Sequence, residues 1–210
     1  MKKRMLIMTG PQGSGNHLFS KIFALHDEVF GWESLLYTYW EGHHHEPFHD
    51  CWQDPELLHD VDWTQADYWV TSISCPFVYK GEQTVPNYRE FIREASHYCE
   101  IQLAIIGRDQ NILETQQTRV RGKHTTPVAL DKLKSLFYMY PTNFLSQELL
   151  YLYGDKYLQS IAKDMNWPIC WWEKEIFNIL KEDANKKYIT PVKEHWLDKE
   201  VKKAIKDSKC

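Results

Sequence analysis

A short apolar run, Met5-Leu-Ile-Met8, passes through Thr9 into Gly10-Pro-Gln-Gly-Ser-Gly15, after which apolar residues recur at 18, 19, 22, 23 and 25. The first pattern is that of a buried strand and the last has the 3.6-residue spacing of an amphipathic helix, so the glycines mark the turn between them. No other segment constrains the fold as strongly. Glycines let consecutive backbone N–H groups point inward, and a helix start adds partial positive charge, which together make an anion cradle.

The same pattern recurs downstream. A β-branched and aromatic run inside Asp67–Val78, ending near Pro76, predicts a second strand, and Ile101–Gly107 predicts a third that is buried on both faces. Residues 86–99 read as a helix, as does the stretch from about Asn111 to Val120. After a loop from Gly122 to Pro127, helices are expected near 128–139, 143–166 and 171–183, with a short segment near Tyr188. Strands alternating with helices imply a parallel α/β sheet covered by helices. Residues 31–66, rich in Trp, His, Asp and Glu, read as a substrate-side insertion with little regular structure. At 210 residues the chain is expected to form one domain, 1–210.

Composition excludes several classes. With 43% hydrophobic and 26% charged residues the chain buries a core rather than remaining disordered. Its formal charge of −4 supplies no overall field for nucleic-acid phosphates, so any anion must be held by a local site. The five cysteines are scattered and form no CxxC pair. The basic amino terminus leads into an apolar run too short for a signal peptide, and no stretch approaches a membrane span. The expectation is a cytoplasmic chain that contacts neither membrane nor nucleic acid.

Gly10 to Gly15 match the first six positions of a Walker A loop, but positions seven and eight are Asn16 and His17 instead of Lys and Ser or Thr. ATP chemistry at such a loop needs that lysine on the β- and γ-phosphates and that hydroxyl on magnesium. Pro11-Gln-Gly-Ser-Gly-Asn-His-Leu18 instead resembles the P-[KR]-S-G-T-T-[LW] loop of sulfotransferases that use 3′-phosphoadenosine-5′-phosphosulfate (PAPS). Leu25-His-Asp-Glu-Val-Phe-Gly-Trp-Glu33 is similar to the L-x-x-H-P-E-V-x-x-x-E stretch of protein-tyrosine and related sulfotransferases. His26, Glu28, Val29 and Glu33 fall in register, and Asp27 stands where Pro is usual. Ile105-Ile-Gly-Arg108-Asp109, with Thr115 and Arg119, is similar to the family's V-R-D…S…R segment but one residue shorter. Phe144-Leu-Ser-Gln-Glu-Leu149 and the helix ending at Met165-Asn-Trp-Pro168 look like its Y-E-x-L region and trailing helix. The resemblance rests on the order and spacing of these segments.

The resemblance implies an α/β fold of three layers, a parallel P-loop NTPase-like sheet with a helical C-terminal half. It implies sulfuryl transfer from PAPS to a hydroxyl or amine of a small-molecule or glycan acceptor, with no metal required. Glu33 would be the general base. Gln12, Gly13, Ser14, Gly15, Asn16 and His17 would hold the 5′-phosphosulfate, and Arg108 with Thr115 the 3′-phosphate, where a fork-shaped cation and a hydroxyl suit a dianion. One departure matters: the family carries Lys or Arg after the loop Pro, whereas Gln12 stands here with Gly13 inserted. His17, Lys21, Arg119, Arg121, Lys123 and His124 are the candidates to replace that cation. The short chain implies an acceptor pocket that is either minimal or completed by a second subunit in a homodimer.

Two rival readings use the same loop: a degenerate P-loop kinase for a small molecule or nucleoside, and a non-enzymatic nucleotide-binding or interaction module. The His43-His-His45 run has ligand atoms for a metal but lacks zinc-site spacing, and a loop contacting the acceptor is the better expectation. Trp32, Tyr37, Tyr39, Trp40, Trp52 and Trp63 read equally as a stacking wall for a ring-shaped ligand or as core packing.

Overall fold

In the computed structural model, which describes residues 3–31, 46 and 48–181, the first apolar run is the central strand β1, Arg4–Pro11. Met5, Leu6, Ile7 and Met8 are fully buried, because a central parallel strand is covered on both faces and needs no polar alternation. It pairs in parallel with β3 (Tyr68–Cys75) on one side and β6 (Glu100–Gly107) on the other. The two-residue β2 (Val29–Phe30) lies outside β3, and β7 (Thr142–Ser146) outside β6, giving the order β2-β3-β1-β6-β7. A short hairpin of β4 (Phe77–Tyr79) and β5 (Glu82–Thr84) stands apart from this sheet.

The crossovers fix the layers. Helix α1 (Asn16–Phe23) carries the chain from β1 outward to β2. Helix α2 (Tyr88–Ala95) precedes β6, and α3 (Gln110–Arg121) with α4 (Thr126–Met139) leads from β6 to β7, in the opposite direction. Right-handed crossovers running in opposite directions place their helices on opposite faces of the sheet. The core agrees: Met5 and Ile7 cluster with Phe91 of α2 and Leu133 and Leu136 of α4, while strand alternation turns Leu6 and Met8 to the other face. Helices α5 (Gln147–Tyr153) and α6 (Asp155–Met165) follow β7. The chain groups into two units, Met1–Trp172 and Glu173–Cys210, the second described through Lys181 and containing α7 (Lys174–Lys181).

Strands β1, β3 and β6 and the helices around them fall where the sequence pattern put them. The helix expected at 143–166 is instead β7 followed by two helices, and β2 and the β4–β5 hairpin had no counterpart in the sequence reading. Phe144 and Leu145 belong to a strand because an unpaired β6 edge offered backbone partners, from Leu103↔Thr142 to Gly107↔Ser146. The described part of the expected insertion contributes to the core. Short 3₁₀ turns at Asp50–Trp52 and Pro55–Asp60 deliver Phe48, Trp52, Leu58 and Trp63 into it. Trp52 stacks on Phe91 with centroids 3.8 Å apart, and Trp63 on Tyr98 at 5.0 Å, so these two tryptophans pack rather than present a wall. Trp32, Tyr37, Tyr39, Trp40 and the His43–His45 run lie outside the described residues.

Beyond Trp69, β2 no longer covers the edge of β3. There the fully buried Glu46 carboxyl accepts hydrogen bonds from the Thr71 hydroxyl and the Ser72 N–H. Burial pushes this carboxyl up to about 8, against the pull of those donors, so Glu46 is largely protonated at neutral pH.

Candidate anion-binding site

The candidate site lies at the C-terminal ends of the strands, where β1 is flanked by β3 on one side and β6 on the other. Such reversals of strand order leave a crevice in which ligands of open parallel sheets bind. At this point the chain must turn from β1 into α1 with almost no room. A Cβ on Gly10 would fall on the Ser14 hydroxyl and 2.5 Å from the Ile106 carbonyl. Gly15, the residue before α1, takes φ +107°, a conformation L side chains rarely adopt. The first-turn N–H groups of a helix have no intrahelical acceptor, and no side chain among the described residues caps α1 from its N-cap position, so the helix start faces the loop mouth.

The loop side chains mostly build the loop. Ser14 is fully buried, its hydroxyl donating to Asn16 Oδ1 at 3.3 Å. The Asn16 amide donates to the Gly10 carbonyl (3.3 Å) and to Ser74 Oγ (2.9 Å), tying the start of α1 to the end of β3. Gln12 is buried too. Its carbonyl accepts from Gln117 Nε2 at 2.6 Å and its side chain from Thr125 Oγ1 at 3.4 Å. Gln12, Ser14 and Asn16 therefore hold the loop together from within. His17 is half-buried, and burial, with Lys21 adding to it, pushes its imidazole down to about 4, so it is neutral at physiological pH.

The cation comes from β6. Arg108 Nη1 donates to the Gly13 carbonyl at 3.0 Å and to Gln116 Oε1 at 2.7 Å, placing a guanidinium against the loop from 95 residues away. Among the replacements considered for the loop cation, Lys21 is buried on α1, and Arg119, Arg121, Lys123 and His124 are exposed. Thr115 is exposed on α3, while Leu113, Gln116 and Gln117 turn toward the loop. Positions 113, 116 and 117 share one helix face by 3- and 4-residue spacing, and Thr115 falls off it. Glu33 lies outside the described residues.

Sequence reasoning missed Gln147. It begins α5, is only 6% exposed, and sets its side-chain amide carbon 3.4 Å from where a Gly15 Cβ would stand. Its Oε1 is buried without a hydrogen-bond partner among the described residues. The signal was present, since Phe144-Leu-Ser146 followed by a helix is again a strand-to-helix junction, with Ser146 Oγ accepting from the Leu149 N–H as the helix cap. Next to it, Glu148 accepts from the Asp109 N–H at 2.9 Å and Asp109 in turn caps α3. The junctions after β6 and β7 are thus locked together beside the loop.

No group of three or more His, Cys, Asp or Glu side chains able to hold a metal occurs among the described residues. No helix among them is long and apolar enough to cross a membrane. No protein-family model matches the chain, and no curated protein matches it in sequence.

Proposed function

We propose that this chain is a sulfotransferase that takes PAPS as donor and an alcohol, phenol or amine as acceptor. The observation that carries the reading is the pairing of a glycine loop that opens the α1 helix start with the Arg108 guanidinium, delivered from the end of the neighbouring strand. The loop's own residues include no lysine: the Walker lysine position is Asn16, and its amide is engaged with Gly10 and Ser74. A cradle of neutral amides suits a sulfuryl group, which carries less charge than a triphosphate and needs no magnesium. The same substitution argues against the kinase reading.

In the reaction the acceptor oxygen or nitrogen attacks sulfur in line. Its bond to sulfur forms as the sulfur–oxygen bond to the 5′-phosphate breaks, leaving 3′-phosphoadenosine-5′-phosphate. Glu33 is assigned the acceptor's proton. The α1 amides would hold the phosphosulfate oxygens and offset charge as it develops on the departing phosphate. Arg108 is assigned the 3′-phosphate, and its bond to Gly13 would couple that grip to the shape of the loop.

Calorimetry of the full chain with 3′-phosphoadenosine-5′-phosphate and with ATP plus magnesium tests the reading. Metal-independent binding of the 3′-phosphorylated nucleotide, at least tenfold tighter than ATP–magnesium, is expected. Preference for ATP–magnesium would sink it. Glu33→Gln should retain donor affinity and lose sulfate transfer, whereas transfer at the wild-type rate would remove Glu33 from the mechanism. Nucleotide binding with no transfer across glycan, phenol and peptide acceptors would mark a binding module instead.

A further inference from the structure

Beyond the ends of β6 and β7 lies a cavity of about 690 Å³ that reaches from Pro11 and Arg108 to Lys134 and Phe137, past the groups the sulfuryl-transfer reading uses. Its floor is the C-terminal ends of these two strands, and α3, α4, α5 and α6 wall it in. Four large apolar side chains on it face solvent: Leu130 is 50% exposed, Phe137 48%, Phe144 63% and Leu149 40%. Side chains of this kind converging on one concavity, with a few polar groups among them, have the composition of a small-molecule pocket. The rings of Phe137 and Phe144 stand 5.5 Å apart at 51°, leaving tilted faces for a flat guest.

The charges at its rim have a direction. Arg108 and Lys134 both line the cavity. Glu148, the acidic residue of the lining, accepts from the Asp109 N–H and the Ser146 hydroxyl at 2.9 and 3.1 Å, so two cations stand against one carboxylate. The rim therefore favours a negative charge over a positive one. We propose that this cavity binds an aromatic monoanion, its ring system against Phe137, Phe144 and Leu130 and its acidic group toward Lys134 and Arg108. The cavity meets the loop at Pro11 and shares Arg108 with the donor site, but Lys134 belongs to it alone, so probe binding and its dependence on Lys134 are read without nucleotide and can fail while nucleotide binding stands.

The test is calorimetry of the full chain with three probes sharing one ring system: 2-naphthoate, 2-naphthamide and the 2-naphthylmethylammonium ion. Naphthoate should bind at least tenfold tighter than the amide, and the cation should bind weakest. Lys134→Glu should weaken naphthoate about tenfold and leave the amide unchanged, with Lys134→Gln intermediate; both sit at an exposed position, and melting curves confirm that they fold. Equal binding of naphthoate and naphthamide, indifference to both Lys134 variants, or no binding of any probe would overturn the proposal. So would a concentration-dependent dimer that excludes naphthoate, since the cavity would then be a surface between two copies of the chain.

Discussion

Arg108 at the end of β6 donates to the carbonyl of Gly13, 3.0 Å away and 95 residues earlier in the chain, so one guanidinium both shapes the loop and charges it. Nη1 makes this bond and the 2.7 Å bond to Gln116, so one end of the guanidinium is committed to holding the loop while its charge faces the site. Arg108→Ala should reduce affinity for 3′-phosphoadenosine-5′-phosphate by at least tenfold, about 1.4 kcal/mol or more. Arg108→Lys should recover only part of that, because an ammonium keeps the charge but loses the geometry. Unchanged calorimetric affinity in Arg108→Ala would remove the residue from the site.

Gly10 makes a sharper test of the loop's construction. An added methyl at Gly10 meets the Ser14 hydroxyl and the Ile106 backbone carbonyl, and the carbonyl belongs to the central sheet. Gly10→Ala should therefore cost about 1–3 kcal/mol in urea unfolding, the range for overpacking a filled interior. Gly81→Ala is the contrast: nothing stands within 4 Å of its Cβ position, and only its left-handed backbone resists the change. It should cost about 1–2 kcal/mol of backbone strain and bind nucleotide normally, while Gly10→Ala loses binding as well as stability.

Much of this architecture was legible from local pattern alone. The run from Met5 to Gly15 and the strand at Ile101–Gly107 announced themselves because central parallel strands are continuously apolar and end in glycine. Strand β7 was hidden because Phe144 and Leu145 suit a helix as well as a strand, and only the open edge of β6 decides between them. The same limit applies to the site. Arg108 was found because it ends a recognisable strand. Gln116 was passed over for Thr115 because a one-residue offset in a helix rotates the side chain by 100°. Asn16 and Ser14 looked like ligand contacts since residue type reveals polarity, whereas direction is set by neighbours such as Ser74 that are remote in sequence.

Stability against pH should show two opposing limbs. Glu46 is raised from 4.5 to about 8 by burial, so the folded chain keeps a proton that the unfolded chain releases. Its contribution is complete below pH 4.5 and lost as pH climbs to about 8. His17 is lowered from 6.5 to about 4, so its contribution is complete above pH 6.5 and lost as pH falls through about 4. Between pH 6.5 and 8 the Glu46 limb acts alone, and wild-type stability should decline there. Glu46→Gln should flatten that decline and leave the variant more stable than wild type at pH 8.5, by on the order of a few kcal/mol. His17→Asn should flatten only the acid limb. A wild-type curve level from pH 6.5 to 8.5, measured by urea unfolding, would contradict the assignment of a protonated Glu46.

Gln147 sets stability against function. Its buried Oε1 has no partner among the described residues, and its amide rests beside Gly15 where the α1 amides open outward. A buried acceptor left unpaired costs about 1–3 kcal/mol, and filling the same space with an apolar side chain removes that cost. A carboxamide can also turn by half a rotation to present its NH₂, which would donate to an oxyanion held at the helix start. Gln147→Leu should therefore stabilise the ligand-free chain by roughly 1 kcal/mol and weaken binding of 3′-phosphoadenosine-5′-phosphate about tenfold. Gln147→Glu should weaken binding further, since a carboxylate at that position repels the ligand. If Gln147→Leu instead destabilised the chain and left affinity untouched, the amide would be a packing group whose orphaned oxygen has no connection to the loop.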